Sequence, residues 1–147
     1  MCIRDSTYTQ PKPLIPVAGK PIISYIVDEL RSVGIDKFVF IIGYLGEKIE
    51  SYLRGAYPEL NMEFVEQTER EGSAHAIWLA KDIWNKEKQL TIIFGDTILD
   101  LDFKKVLDAP NSLLCVKEVK NPRKFGVVEM NEEGKLTRVV ELSLIHI

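Results

Sequence analysis

The sequence predicts an α/β domain, a mostly parallel sheet with helices on both sides and a β-rich elaboration toward the C-terminal end. Three observations lead there. Apolar residues at helical spacing alternate with short β-rich apolar runs as far as residue 107. The run Phe38-Val39-Phe40-Ile41-Ile42 is continuously apolar and ends at Gly43, as a strand buried on both faces of a parallel sheet does. Beyond residue 107 the pattern turns to strands, with Asn131-Glu132-Glu133-Gly134 as a hairpin loop.

Taken in order, residues 21–33 place Ile22, Ile23, Ile26, Val27, Leu30 and Val33 at helical spacing, with Pro21 at the start and Gly34 as the stop. After the strand at 38–42, a short helix over 46–54 carries Ile49, Tyr52 and Leu53 on one face, and 61–66 reads as a second strand. Residues 73–84 form another helical stripe through Ala76, Ile77, Ala80, Ile83 and Trp84, followed by a strand at 90–94 and the turn Gly95-Asp96. A short helix at 103–107 precedes strands at 113–119, 126–130 and 136–140, the last two paired as a hairpin. Strand, helix, strand units of this length imply right-handed crossovers and an α/β sandwich.

The 147 residues, 46% of them hydrophobic, suffice for one domain with a continuous core. A net charge of -3 lacks the basic excess that nucleic-acid binding uses, so no DNA or RNA partner is expected. No apolar stretch approaches the roughly 20 residues that span a bilayer, and there is no signal-peptide core. The sequence therefore predicts a cytoplasmic protein without a membrane partner. Cys2 and Cys115 have no metal-ligand spacing. Cys115, inside Leu113-Leu114-Cys115-Val116, is expected to be buried as a small hydrophobe.

Ligands of open α/β sheets collect beyond the carboxyl ends of the strands, which draws attention to Asp96, just after a strand and the permissive Gly95. A carboxylate there suits a divalent cation held over a phosphate, and by position alone it equally suits a turn or helix cap. In Thr9-Gln10-Pro11-Lys12-Pro13-Leu14-Ile15-Pro16-Val17, three prolines stiffen a loop that delivers one lysine. Rigid delivery of a cation fits phosphate chemistry, though a solvated lysine gives the same bare pattern. Gly72-Ser73-Ala74 opens a helix with small residues, letting a planar base or phosphate approach the backbone.

The string from Tyr8-Thr9-Gln10-Pro11-Lys12-Pro13 to Ala18-Gly19-Lys20-Pro21-Ile22-Ile23 closely resembles a signature of the sugar-1-phosphate nucleotidyltransferases, which include glucose-1-phosphate thymidylyl- and uridylyltransferases. In family order there follow Gly34-Ile35, Ile42-Gly43-Tyr44, Glu66-Gln67, Gly72-Ser73-Ala74-His75-Ala76, Phe94-Gly95-Asp96 and Phe125-Gly126-Val127-Val128-Glu129. The resemblance spans residues 7 to 141. It implies a Rossmann-like three-layer sandwich, the nucleotide-diphospho-sugar transferase fold, present here incompletely. It further implies transfer of a nucleoside monophosphate from a nucleoside triphosphate to a sugar-1-phosphate, with release of pyrophosphate. Lys12 then matches the lysine that neutralises the reacting phosphates, and Asp96 one of two aspartates that hold Mg2+. Gln67 and Gly72 match positions around the nucleotide base, Gly126 a backbone position beside the sugar, and Glu141 the glutamate on a sugar hydroxyl. His75 is read as a partly exposed helix residue, because this chemistry needs no histidine base. A homo-oligomer is compatible with the resemblance.

The chain departs from the family at both ends. The buried first strand and the Gly-Gly-x-Gly-Thr-Arg type loop are not seen, and residues 1–6 and 142–147 resemble translated adapter sequence rather than native ends. A piece lacking that loop is expected to be marginally stable and inactive by itself. Two other readings stand beside the enzyme: a non-catalytic regulatory or assembly subunit of the same fold, and a glycosyltransferase with Asp100-Leu101-Asp102 as a metal motif. The alternation of Leu99, Leu101 and Phe103 reads better as a solvated edge.

Overall fold

A computed structural model describes residues 9–69, 71–121 and 126–140. In chain order it contains a 3-10 turn (Lys12–Leu14), β1 (Pro16–Val17), β2 (Lys20–Pro21), α1 (Ile22–Ser32), β3 (Lys37–Ile42), α2 (Gly46–Ala56) and β4 (Asn61–Glu66). These are followed by α3 (Ser73–Leu79), α4 (Lys81–Trp84), α5 (Phe103–Leu107), β5 (Val127–Met130) and β6 (Leu136–Val140). Met1–Leu107 and Asp108–Ile147 form separate units.

In the first unit, α1 buries Ile23, Val27 and Leu30, the stripe expected of its 3.6-residue period. It stops where Gly34 takes φ +89° and the Gly34 and Ile35 N–H groups bond back to Arg31 and Leu30 carbonyls, a left-handed ending that glycine adopts without strain. Strands β3 and β4 pair in parallel from Lys37↔Asn61 to Ile42↔Glu66, joined through α2. A Cβ at Gly46 would stand 2.8 Å from Ile42 Cβ, so glycine is what lets α2 begin against β3.

Leu14, Ile23, Val27, Leu30, Phe38, Ile49, Leu53, Tyr57 and Phe103 make the core. The complete burial of Leu53 contributes roughly 2–3 kcal/mol. Phe40 stacks on Phe38 and on Phe64 across the strand pair. The one buried polar side chain among the described residues, Ser24, is satisfied by the Tyr52 hydroxyl at 2.7 Å.

The helix at 21–33, the strands at 38–42 and 61–66, and the helices near 46–54 and 103–107 are all found within a residue or two. Other elements differ. Strand β3 buries only Phe38, its remaining apolar residues being half-buried, because β4 covers one edge and no described strand pairs with the other. Residues 90–94 form no strand, and Leu90, Ile92 and Phe94 are exposed, since among the described residues no ladder partner stands beside them. The helix expected over 73–84 breaks at Ala80, whose N–H turns to Ile77 O at 3.3 Å. The Trp84 indole then donates to Ile77 O at 2.9 Å and ties the two pieces together.

In the second unit, β5 and β6 form the expected antiparallel hairpin, with an irregularity at Glu129/Met130. Asn131 Oδ1 accepts from the Glu133 and Lys135 N–H groups, and Gly134 takes φ +74°, which closes the loop. Residues 113–119 are not a strand, and Cys115 is exposed rather than buried. Apolar sequence alone pointed to burial, but no described strand pairs with this run. The described strands thus form three two-stranded sheets, one parallel and two antiparallel, in an α/β chain.

Candidate functional site

The 3-10 turn fixes the backbone around Lys12. Leu14 N–H bonds Pro11 O at 2.9 Å, Ile15 N–H bonds Lys12 O at 3.1 Å, and the Gln10 side chain donates to Leu14 O at 2.7 Å. Pro11 and Leu14 are buried while Lys12 points outward. On the facing segment, Thr97 N–H closes a turn onto Phe94 O at 3.1 Å and presents Asp96. A Cβ at Gly95 would meet the Pro13 ring at 3.3 Å, so the missing side chain is what lets the two segments approach. Lys12 Nζ consequently reaches Asp96 Oδ2 at 2.8 Å, with the two side chains 55% and 41% exposed.

Gln67 follows β4 directly and continues the parallel pairing, its N–H bonding Ile42 O at 2.7 Å. Its Nε2 donates to Gly72 O at 3.1 Å and lies 3.4 Å from His75 Nδ1. Gly72 holds φ +97°, ψ -179°, which side-chain-bearing residues avoid, and its carbonyl also accepts from Ala76 N–H in the first turn of α3. A groove of about 670 Å³ brings these parts together, lined at this end by Pro13, Ile42, Gln67, Gly72, Phe94 and Gly95. The groove runs along the whole of β3, from Gly34 to Ile42, and Gln67, just past the carboxyl end of β4, lines it where ligands of parallel sheets commonly bind.

Lys12, Asp96, Gln67 and Gly72 therefore belong to one region of the first unit. Gly126 is exposed in the second unit, immediately before β5, and Glu141 lies outside the described residues, as do Tyr8 and Phe125. Asp102 is committed elsewhere: its Oδ1 accepts from Lys105 N–H at 3.2 Å, an N-cap of α5. That hydrogen bond holds the Asp102 carboxyl below its ordinary value, outweighing desolvation, with further help from the Lys105 ammonium. The residue is thus an exposed helix cap rather than half of a metal motif, and the exposed Asp100 and Asp102 alternate with the more buried Leu99, Leu101 and Phe103 as a solvated edge does. The contact that sequence reasoning missed is His75 on Gln67. Its only trace in the sequence is a glycine-initiated turn between two residues eight apart.

The family model described as "Nucleotidyl transferase" matches residues 3–142. The bifunctional protein GlmU of Methanocaldococcus jannaschii is 36% identical over 139 residues, covering 95% of this chain and 32% of that protein. The UTP--glucose-1-phosphate uridylyltransferase AglF of Haloferax volcanii is 28% identical, covering 95% of this chain and 59% of that protein. The chain thus spans about a third to three fifths of the length of these relatives. A crystal structure titled as a putative glucose-1-phosphate thymidylyltransferase from Bacillus anthracis superposes with a TM-score of 0.76 at 23% identity, covering 93% of this chain and 58% of that one. The two chains share an α/β fold. With a family match across nearly its whole length, the chain belongs to the nucleotidyl transferase family, that of the sugar-1-phosphate nucleotidyltransferases it resembles.

Proposed function

We propose that the chain is part of the catalytic domain, a Rossmann-like three-layer sandwich, of an enzyme that transfers a nucleoside monophosphate from a nucleoside triphosphate to a sugar-1-phosphate. A phosphate oxygen of the sugar attacks the α-phosphorus, pyrophosphate leaves with the electron pair of the broken P–O bond, and an NDP-sugar forms. The observation that carries this reading is the Lys12–Asp96 pair, an ammonium and a carboxylate whose chain neighbours Pro13 and Gly95 line the same groove as Gln67 and Gly72. Relatives named for UTP and glucose-1-phosphate favour a pyrimidine nucleotide and a hexose phosphate.

Magnesium ordinarily binds through one or two protein carboxylates, keeping substrate phosphates and waters as its other ligands. Asp96 fits as one such ligand, since its carboxylate is partly exposed and already faces a positive charge. Bound there, magnesium supplies charge withdrawal from the α-phosphate. Lys12, freed from Asp96, places its ammonium against the incoming phosphates, where charge neutralisation and position supply most of the catalysis. Gln67 meets the base edge, and Gly72 lets it approach the backbone. Gly126 and Glu141 are assigned to the sugar by resemblance, and a cytoplasmic, homo-oligomeric enzyme accompanies the reading.

The test is magnesium-dependent pyrophosphate release, with a panel of triphosphates and sugar-1-phosphates, by the protein expressed from its complete reading frame. Release with one pair that disappears in Asp96→Ala supports the assignment. Undiminished release in Asp96→Ala removes Asp96 from the site, and no release with any pair from a folded protein rejects the enzyme in favour of a regulatory subunit.

A further inference from the structure

We infer that His75 is a positioning residue that fixes which end of the Gln67 amide faces the nucleotide base. The site then favours a base whose facing ring nitrogen carries a hydrogen. This rests on the base-binding role proposed above for Gln67.

The amide's orientation follows from chemistry. Gly72 O can only accept, so the Gln67 atom 3.1 Å from it must be the NH2 nitrogen. That nitrogen has two hydrogens. The second points to the δ nitrogen of His75 at 3.4 Å, which accepts when the neutral ring carries its proton on Nε2. With both hydrogens engaged, the amide oxygen is the group left for a ligand, and Gln67 is half-buried at the wall of the groove. The same His75 nitrogen lies 3.7 Å from Glu71 Oε2, a contact that suits a protonated ring instead. The Gln67 and Glu71 contacts therefore ask opposite protonation states of one atom, and the neutral ring is the one that pins the amide.

A carboxamide turned oxygen-outward accepts from the N3–H of uracil or thymine, or from N1–H of guanine. Cytosine presents a bare N3, which needs the amide turned around. Turning it gives up the bond to Gly72 and the contact with His75, and leaves the carbonyl oxygen facing two acceptors. UTP and CTP share size, charge and sugar, so the difference between them isolates this effect.

The experiment measures binding of UTP and CTP by saturation-transfer NMR titration to the protein expressed from its complete reading frame, in the wild type, His75→Leu and His75→Asn. Asparagine keeps an acceptor at the δ position, which leucine lacks. The expected result is about tenfold tighter binding of UTP than CTP in the wild type, retained in His75→Asn and reduced to about threefold or less in His75→Leu. A nucleotide-free reading of the same contact comes from the imidazole 15N spectrum, which should show a neutral His75 protonated at Nε2. Equal affinities in the wild type, full discrimination in His75→Leu, or a ring protonated at Nδ1 overturns the inference while leaving the nucleotide-binding reading intact. Failure to bind either nucleotide overturns that reading, and the inference with it.

Discussion

Lys12 Nζ and Asp96 Oδ2 stand 2.8 Å apart although 84 positions separate them in the chain. Both side chains remain open to water, one on a proline-stiffened turn and the other on the turn closed by Thr97. Exposed ion pairs of this kind stabilise a fold by only about 0–1 kcal/mol. The approach of the two segments instead rests on Gly95, whose missing side chain makes room for Pro13. The pair is a poor clamp, and its proposed role toward phosphate can be separated from the fold by mutation.

Replacing Lys12 by methionine keeps the length of the side chain and removes its charge. Thermal unfolding should move by less than about 4 °C, as the small contribution of an exposed pair requires. Nucleotidyl transfer by the complete protein should fall by about 100-fold or more, the usual consequence of removing a group aimed at transition-state charge. A large loss of stability with little loss of rate would assign the lysine to the fold instead.

Gly72 is held by its backbone rather than by crowding. Nothing lies within 4 Å of a Cβ placed there, yet φ is +97°. Gly72→Ala should therefore destabilise the protein by about 1–3 kcal/mol through strain alone. Gly55, inside α2 and equally uncrowded, has no such φ, and Gly55→Ala should stabilise by roughly 0.5–1 kcal/mol. Urea midpoints moving in opposite directions would separate conformational strain from packing.

Much of this was legible in the sequence because it is local. The stripe Ile23, Val27, Leu30 and the stop at Gly34 specify α1 without reference to the rest of the chain. The hairpin of β5 and β6 is likewise set by Asn131 and Gly134 between two strand-like runs. The runs at 90–94 and 113–119 were misjudged because a strand is defined by a neighbour, and apolar composition cannot say whether one is present. Lys12, Gln67, Gly72 and Asp96 were singled out by motif, but spacing did not show that Lys12 contacts Asp96 or that Gln67 contacts Gly72. The His75 contact depends on a turn that swings α3 back toward the end of β4, and one-dimensional spacing hides it.

The buried cluster under α1 and α2 sets the response to pH. Burial, above all, pushes the Tyr57 hydroxyl up to about 12; the Asp28 carboxylate raises it further, while Ser24 opposes the shift. The unfolded chain releases that proton near pH 10 and the folded protein only near 12, so stability should fall as pH rises across this window, by roughly 2–3 kcal/mol. Asp28 acts at the other end. Burial alone would raise its carboxyl, but the Lys20 and Tyr57 hydrogen bonds and the charges of Lys20 and Arg31 outweigh it and bring it below 3.8. Its contribution is present above that value and is lost as pH falls beneath it. In Tyr57→Phe most of the alkaline decline should disappear, and the acid limb should persist in weakened form, since Asp28 loses the Tyr57 hydrogen bond but keeps Lys20 and Arg31. Urea unfolding at a series of pH values reads both.

One edge of β3 has no strand beside it among the described residues, and Ile92 and Phe94 stand exposed near the same groove. An unpaired strand edge beside apolar surface is a template for pairing with another chain. The 147-residue chain by itself should therefore associate at concentrations on the order of 10–100 µM. A charge placed on the exposed run, as in Ile92→Lys, should oppose this without entering the core, since Ile92 is 53% exposed and is not one of the core residues. Sedimentation velocity should show concentration-dependent association in the wild type and a shift toward monomer in the variant, with the circular dichroism of both unchanged. If the wild type sediments as a single monomeric species across that range, the open edge is protected, and residues 90–94 do not act as an adhesive surface.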